Sequence, residues 1–313
     1  ERMHVGHYSE ELCSLIDTST NIDGSCLLVA ILFTALFNEG KSSDGMEILC
    51  NPSSDYYYRK FETSKCFPFL LRNVSYYIDD VDVGIRNYTE CLQFFKNSDP
   101  VNYNRTMTNF IGYLLKNHDS RHANIVLKQK IKEAKQILEY DDPRYLYLNI
   151  NYGIYLMKET EENPSQHFES ILYESGTTET PHIYAQVNHA MYISKESPEK
   201  ALVKLDEIDA LFVSKTCVEP TKVFYSINRL LVEYMNGINN VDLLEYIRKN
   251  PLRGNTAHAE CIYSEYSNRF KNNIPYIVDD WQRLFMLCPG YIFYHGFDSE
   301  LLLSSFDNPT RIM

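Results

Sequence analysis

The chain has 313 residues, 44% hydrophobic and 23% charged, a balance that excludes a disordered polypeptide and is long enough to bury a large core. A formal charge of −12 argues against nucleic acid as a partner, because phosphate binding wants a basic stripe. Eight cysteines (Cys13, Cys26, Cys50, Cys66, Cys91, Cys217, Cys261 and Cys288) form no CxxC pair, which suits a reducing cytosol better than a disulfide framework or a zinc site.

The opening ERMHVGH carries no initiator methionine, and residues 1–25 read as a lead-in to a piece excised from a longer protein, with an activity residing in the missing part. No signal peptide is visible. The longest apolar run, CLLVAILFTALF from Cys26 to Phe37, is too short to cross a bilayer and predicts a buried helix, so no membrane is expected as a partner.

From there, helical periodicity with short breaks predicts pairs of helices. The first pair is Cys26 to Asn38 and a short helix through Met46 to Cys50; the second is Glu62 to Ile78 and Val83 to Lys96. Next come Tyr103 to Lys116 with Arg121 to Leu138, then Arg144 to Lys158 with Ser165 to Tyr173. Pro181 starts a fifth pair, with Pro198 in the first turn of its partner PEKALVKLDEIDALF, and Pro220 starts a sixth that ends at Arg248. Pairs of near-constant length predict an α-solenoid over residues 26–250. Residues 251–313 read as a capping region, with helices at His258 to Phe270, Asp279 to Cys288 and Ser299 to Phe306 and an aromatic stretch, PGYIFYHGF, between the last two.

A five-residue motif marks the first helix of successive pairs: NVSYY at Asn73, NFIGY at Asn109, NYGIY at Asn151, NHAMY at Asn188 and a degraded NRLLV at Asn228. Asparagine and tyrosine four apart share one helix face. Gly112, Gly153 and Ala190 lie between them on another face, where small residues let a neighbouring helix come close. Two readings of the column follow. In one, Asn73, Tyr77, Asn109, Tyr113, Asn151, Tyr155, Asn188, Tyr192 and Asn228 line a concave surface, the amides holding a ligand's backbone and the tyrosines supplying contact area. In the other, the same residues are internal packing ladders.

These helix–turn–helix units, with small residues in the first helix and a PEKALVKL-type second, resemble divergent tetratricopeptide repeats, most clearly from Asn109 to Phe212. The consensus tryptophan and the regular proline at the end of each repeat are absent. The resemblance implies an all-α right-handed superhelix of about six repeats with a helical C-terminal cap. It also implies concave asparagines that hold a peptide, which supports the ligand reading of Asn109, Asn151 and Asn188. Arrays of this kind are similar to the C-terminal sensors of bacterial STAND-type NTPases, including those of antiviral defence, and to peptide-pheromone receptors. A cytoplasmic protein- or peptide-binding domain is therefore expected, attached to an effector or ATPase portion, with a plain assembly scaffold as the other reading.

Catalytic motifs are not evident. NEGKSS matches the end of a P-loop at Gly40, Lys41 and Ser42, but Ala35 stands where the first glycine belongs. His118 and His122 straddle a turn without a third ligand nearby, and Asp119 or Ser120 explains that segment as a helix cap. KQKIKEAK, from Lys128 to Lys135, reads as a solvated helix face. The sequons at Asn73, Asn87 and Asn104 read as chance in an asparagine-rich chain. No enzyme, cofactor or metal is expected.

Overall fold

Ends of helices, where four carbonyls lack an intrahelical partner, are where this asparagine-rich chain spends many of its amides. Asn117, Asn236, Asn250 and Asn272 each donate from Nδ2 to the carbonyl four residues back, at 2.8 to 2.9 Å. Two helices close with a residue in the left-handed region, Gly237 at φ +76° and Asn273 at φ +47°. In both, the amide that follows returns to the carbonyl five residues earlier: Ile238 to Glu233 and Ile274 to Arg269, each 2.9 Å. At the other ends, Asp80, Asp99 and Asn240 accept backbone amides as N-caps, and Ser120 accepts from Ala123.

The computed structural model describes residues 20–38, 60–76, 78, 80–117, 120–138, 146–160, 162–175, 180–214, 219–251, 256–280 and 284. These residues are all-α. In chain order the helices are α1 (Ile22–Asn38), α2 (Phe67–Ser75), α3 (Val81–Phe95), α4 (Pro100–Lys116), α5 (Arg121–Leu138) and α6 (Leu146–Glu159). Then follow α7 (Ser165–Ser175), α8 (Thr180–Ser194), α9 (Pro198–Ser214), α10 (Glu219–Met235), α11 (Val241–Lys249) and α12 (Thr256–Lys271). No strand occurs among the described residues.

Expected and observed limits agree within about three residues for most helices, the ordinary fraying of helix ends. The second pair is the exception. Its first helix, expected from Glu62 to Ile78, runs only from Phe67 to Ser75, because Pro68 occupies the first turn and the Ser64 hydroxyl takes the Cys66 amide just before it. Val278–Asp280 form a 3₁₀ turn, and most of the helix expected from Asp279 to Cys288 lies outside the described residues, Leu284 being helical. The short helix at 46–50, the aromatic stretch at 289–297 and the helix at 299–306 lie outside the described residues, as do His118, Asp119 and the Gly40–Lys41–Ser42 turn.

Two compact units divide between Glu133 and Ala134, within α5. In the first, Cys26, Val29 and Ala30 of α1 pack on Leu70 and Val74 of α2, and Leu71 of α2 packs on Cys91 and Phe95 of α3. Tyr88 of α3 stacks on Phe110 of α4, with ring centroids 5.0 Å apart. A buried polar chain joins the same helices: Arg72 donates to Asn102 at 3.0 Å, and Asn102 donates to Asp99 at 2.6 Å. In the second unit, consecutive helices from α6 to α12 pack on one another, and α8 also packs on both α6 and α10. α8, the first member of its pair, thus touches the first members of the pairs on either side. Among the described residues, no helix is long and apolar enough to cross a membrane.

Cys26, Cys66 and Cys91 are free and buried as small hydrophobes, and Cys261 is free and exposed. Burial pushes the Cys26 and Cys91 thiols up to about 12. Asn73, Asn87 and Asn104 are each 6% exposed, so none of the sequons presents its amide for a glycan in the folded chain.

Candidate functional site

The motif asparagines lie in the interior. Asn109 is 4% exposed, and Asn151, Asn188 and Asn228 are fully buried. Asn188 and Asn228 donate from Nδ2 to the carbonyls of Tyr184 and Phe224, four residues back in their own helices, at 2.8 and 2.9 Å. Their Oδ1 atoms are buried without a protein partner. A row of asparagine amides open to solvent is therefore not what α4, α6, α8 and α10 present. α6 packs on α7 and α8, α8 on α6, α7, α9 and α10, and α10 on α8, α9 and α11, so Asn151, Asn188 and Asn228 sit where that packing excludes water.

The tyrosines divide. Tyr113 is fully buried and its hydroxyl donates to the Ile78 carbonyl at 3.1 Å, tying α4 to the segment between α2 and α3. A Cβ added at Gly84 of α3 would overlap the Tyr113 ring, so this glycine admits the tyrosine. Tyr155 on α6 and Tyr192 on α8 are part-exposed at equivalent motif positions. Tyr77 lies outside the described residues.

Around NYGIY the rings gather. A Cβ at Gly153 would stand 2.7 Å from Phe168 Cε1 and 3.1 Å from His167 Cδ2, so glycine is what lets α7 approach α6. His167 donates from Nε2 to the Asn149 carbonyl at 2.9 Å and meets Tyr152 edge-on at 5.2 Å. Phe168 stacks on His189 of α8 at 5.9 Å. Burial, with the Lys204 charge second, pushes the His189 imidazole down to about 4, and burial lowers His167, so both rings are neutral near pH 7. Outside this buried layer, Lys135 lies 5.8 Å over the Tyr152 ring, and Tyr155 stacks beside Tyr152 at 6.3 Å. Tyr152 is itself buried, so of the three only Lys135 and Tyr155 reach solvent.

Sequence reasoning missed two arginine clamps. Arg229 of α10 donates to Asp206 and Tyr225 and ion-pairs with Asp209 and Glu233, at 2.6 to 2.8 Å. Tyr225 in turn donates to Asp209 at 2.7 Å, and burial followed by this hydrogen bond holds its phenol protonated far above the usual range. Arg269 of α12 holds Glu265, Asp280 and the Tyr234 hydroxyl. The signal was present as four-residue spacing, Tyr225–Arg229–Glu233 and Glu265–Arg269. What no spacing shows is that Asp206, Asp209 and Asp280 come from neighbouring elements. Chemically these are forks that fix helix on helix, not reactive groups.

Among the described residues no group of three or more histidine, cysteine, aspartate or glutamate side chains is placed to hold a metal ion. His122 pairs with Asp82 of α3 at 2.5 Å. No protein-family model matches the chain, and neither a curated protein nor a solved structure does.

Proposed function

We propose that this chain is a protein- or peptide-binding repeat domain that serves as the ligand-sensing region of a larger bacterial signalling or antiviral-defence NTPase. The observation that supports it best is the contact of α8 with both α6 and α10, the nearest-neighbour packing by which repeats build an extended face. On this reading the pairs form a right-handed superhelix of about six tetratricopeptide-like repeats, closed after residue 250 by a helical cap. Tyr155 and Tyr192 occupy equivalent positions on adjacent first helices and stay part-exposed, so they are the motif residues that contact the ligand. The asparagines behind them hold the helices that carry those tyrosines. Ligand contact then shifts the packing between pairs, and the NTPase portion responds in the cytoplasm.

Burial of the asparagines favours a second reading, a plain assembly scaffold whose Asn and Tyr columns are internal ladders. A peptide-pheromone-type receptor differs from both in the size of its ligand. The test uses the chain as bait beside a Tyr155→Ala, Tyr192→Ala variant of unchanged circular dichroism. A captured protein or peptide, purified and titrated back, is expected to lose about tenfold or more in affinity for the variant. Equal affinity for both forms would remove the groove tyrosines from the function and leave the scaffold.

A further inference from the structure

Cys26 of α1 and Cys66, just before α2, lie in one buried cluster with Val29, Leu70 and Val74. One side chain joins the two helices at this corner. The Ser64 hydroxyl donates to Asp23 at 2.7 Å and accepts the Cys66 amide at 3.0 Å. Asp23 stands three residues before Cys26, one turn away on the same side of α1. The same hydroxyl is within hydrogen-bond reach of both thiols. Two cysteines far apart in sequence therefore meet at one serine. Cys91 does not share this corner: it packs in a different cluster with Leu71 and Phe95, and its thiol donates to the Pro68 carbonyl at 3.3 Å.

The corner is also an edge. Glu62, Thr63 and Lys65 are exposed on either side of Ser64, and Cys66 follows directly. Burial raises both thiols above their ordinary range, so neither reacts while this turn is closed. Local opening of the turn uncovers Cys66 first. We propose that Cys26 and Cys66 are a redox pair that closes to a disulfide, locking α1 onto α2, when a low-molecular-weight disulfide such as oxidised glutathione accumulates. In the first step Cys66 gives up its proton, and its sulfur attacks one sulfur of the reagent and expels one molecule of thiol. In the second, the deprotonated Cys26 sulfur attacks the Cys66 sulfur, forming the protein disulfide and expelling the other reagent thiol. Two protein thiols are oxidised, one reagent disulfide is reduced to two thiols, and those thiols carry off the protons. In a reducing compartment such a bond is transient and regulatory. It ties α1 to the start of α2 and closes the intervening chain into a loop.

The test is incubation of the full folded chain with oxidised glutathione, then alkylation of the remaining thiols and peptide mapping without reductant. The expected product joins the Cys26 and Cys66 peptides with the loss of two hydrogens, and dithiothreitol reverses it. Cys26→Ser should stop the reaction at a glutathione adduct on Cys66, whereas Cys91→Ser should leave the Cys26–Cys66 link unchanged. In denaturing urea the same reagent should scatter links among the eight cysteines, so a preference seen in native buffer reports the fold. Amide exchange in α1 should slow by about tenfold or more in the oxidised chain, and Cys26→Ser should show no such slowing. Cys26 and Cys66 left as free thiols or as separate adducts, links to other cysteines in their place, or unchanged exchange in α1 once the link has formed would each overturn the proposal.

Discussion

Replacing Gly153 by alanine tests whether the close approach of α7 to α6 is what the motif glycine is for. In an ordinary helix interior the change stabilises by about 1 kcal/mol, since alanine gives up less backbone freedom on folding. Here the new methyl would stand 2.7 Å from Cε1 and 2.8 Å from Cζ of Phe168. That ring has no free side to move into, being fully buried and stacked on His189. Overpacking of this kind costs about 1–3 kcal/mol, so the net expectation is a loss of about 1 kcal/mol. In a Phe168→Leu background the clash is removed, and the same Gly153→Ala change should stabilise by about 0.5–1 kcal/mol. Urea titration followed by far-UV circular dichroism reads both values. A Gly153→Ala variant that raises the urea midpoint of the parent chain would refute the reasoning.

Three further outcomes are expected. Arg229→Ala leaves Glu233, itself 4% exposed, without its cation and should cost about 3 kcal/mol in urea titration, with Arg229→Lys failing to recover it because one ammonium cannot serve the whole fork. Asp80→Ala removes the cap that accepts the Asp82 and Val83 amides at 3.0 and 3.2 Å and should cost about 1 kcal/mol, with faster amide exchange confined to the first turn of α3. His189, neutral in the fold down to about pH 4, takes up a proton at about 6.5 when unfolded. The unfolded chain then binds the extra proton, so its contribution to stability is full above about pH 6.5 and is lost progressively down to about 4, a span of about 3 kcal/mol. A His189→Leu variant should flatten that slope, and parallel pH curves for the two proteins would contradict the assignment.

Helix positions were largely legible because periodicity and punctuation agreed: Pro198 opens a helix where proline belongs and Ser120 caps another, whereas Pro100, which opens α4, falls before the expected start at Tyr103. The start of α2 was lost because FPFLL is apolar in every register, and only the placement of Pro68 and the Ser64 hydroxyl decides where the helix begins. The closeness implied by Gly153 was readable from its small size within NYGIY. The direction of the asparagines was not. Four-residue spacing puts Asn and Tyr on one face, but it does not say whether that face meets water or another helix, and α8, packed on both sides, has few open faces. Nor could spacing distinguish Tyr113, whose hydroxyl reaches the Ile78 carbonyl, from Tyr155 and Tyr192, which keep partial exposure.

The central claim is that the motif asparagines are interior struts of the array. The most direct measurement is the stability of Asn151→Asp and Asn188→Asp, which keep the shape and place a carboxylate where each side chain is fully buried. The account predicts a loss of several kcal/mol, about 3 or more, in urea titration at pH 7, partly restored at about pH 5 as the buried acid becomes neutral. Unchanged urea midpoints at both pH values, with the chain still folded, would put the asparagines in water and contradict it.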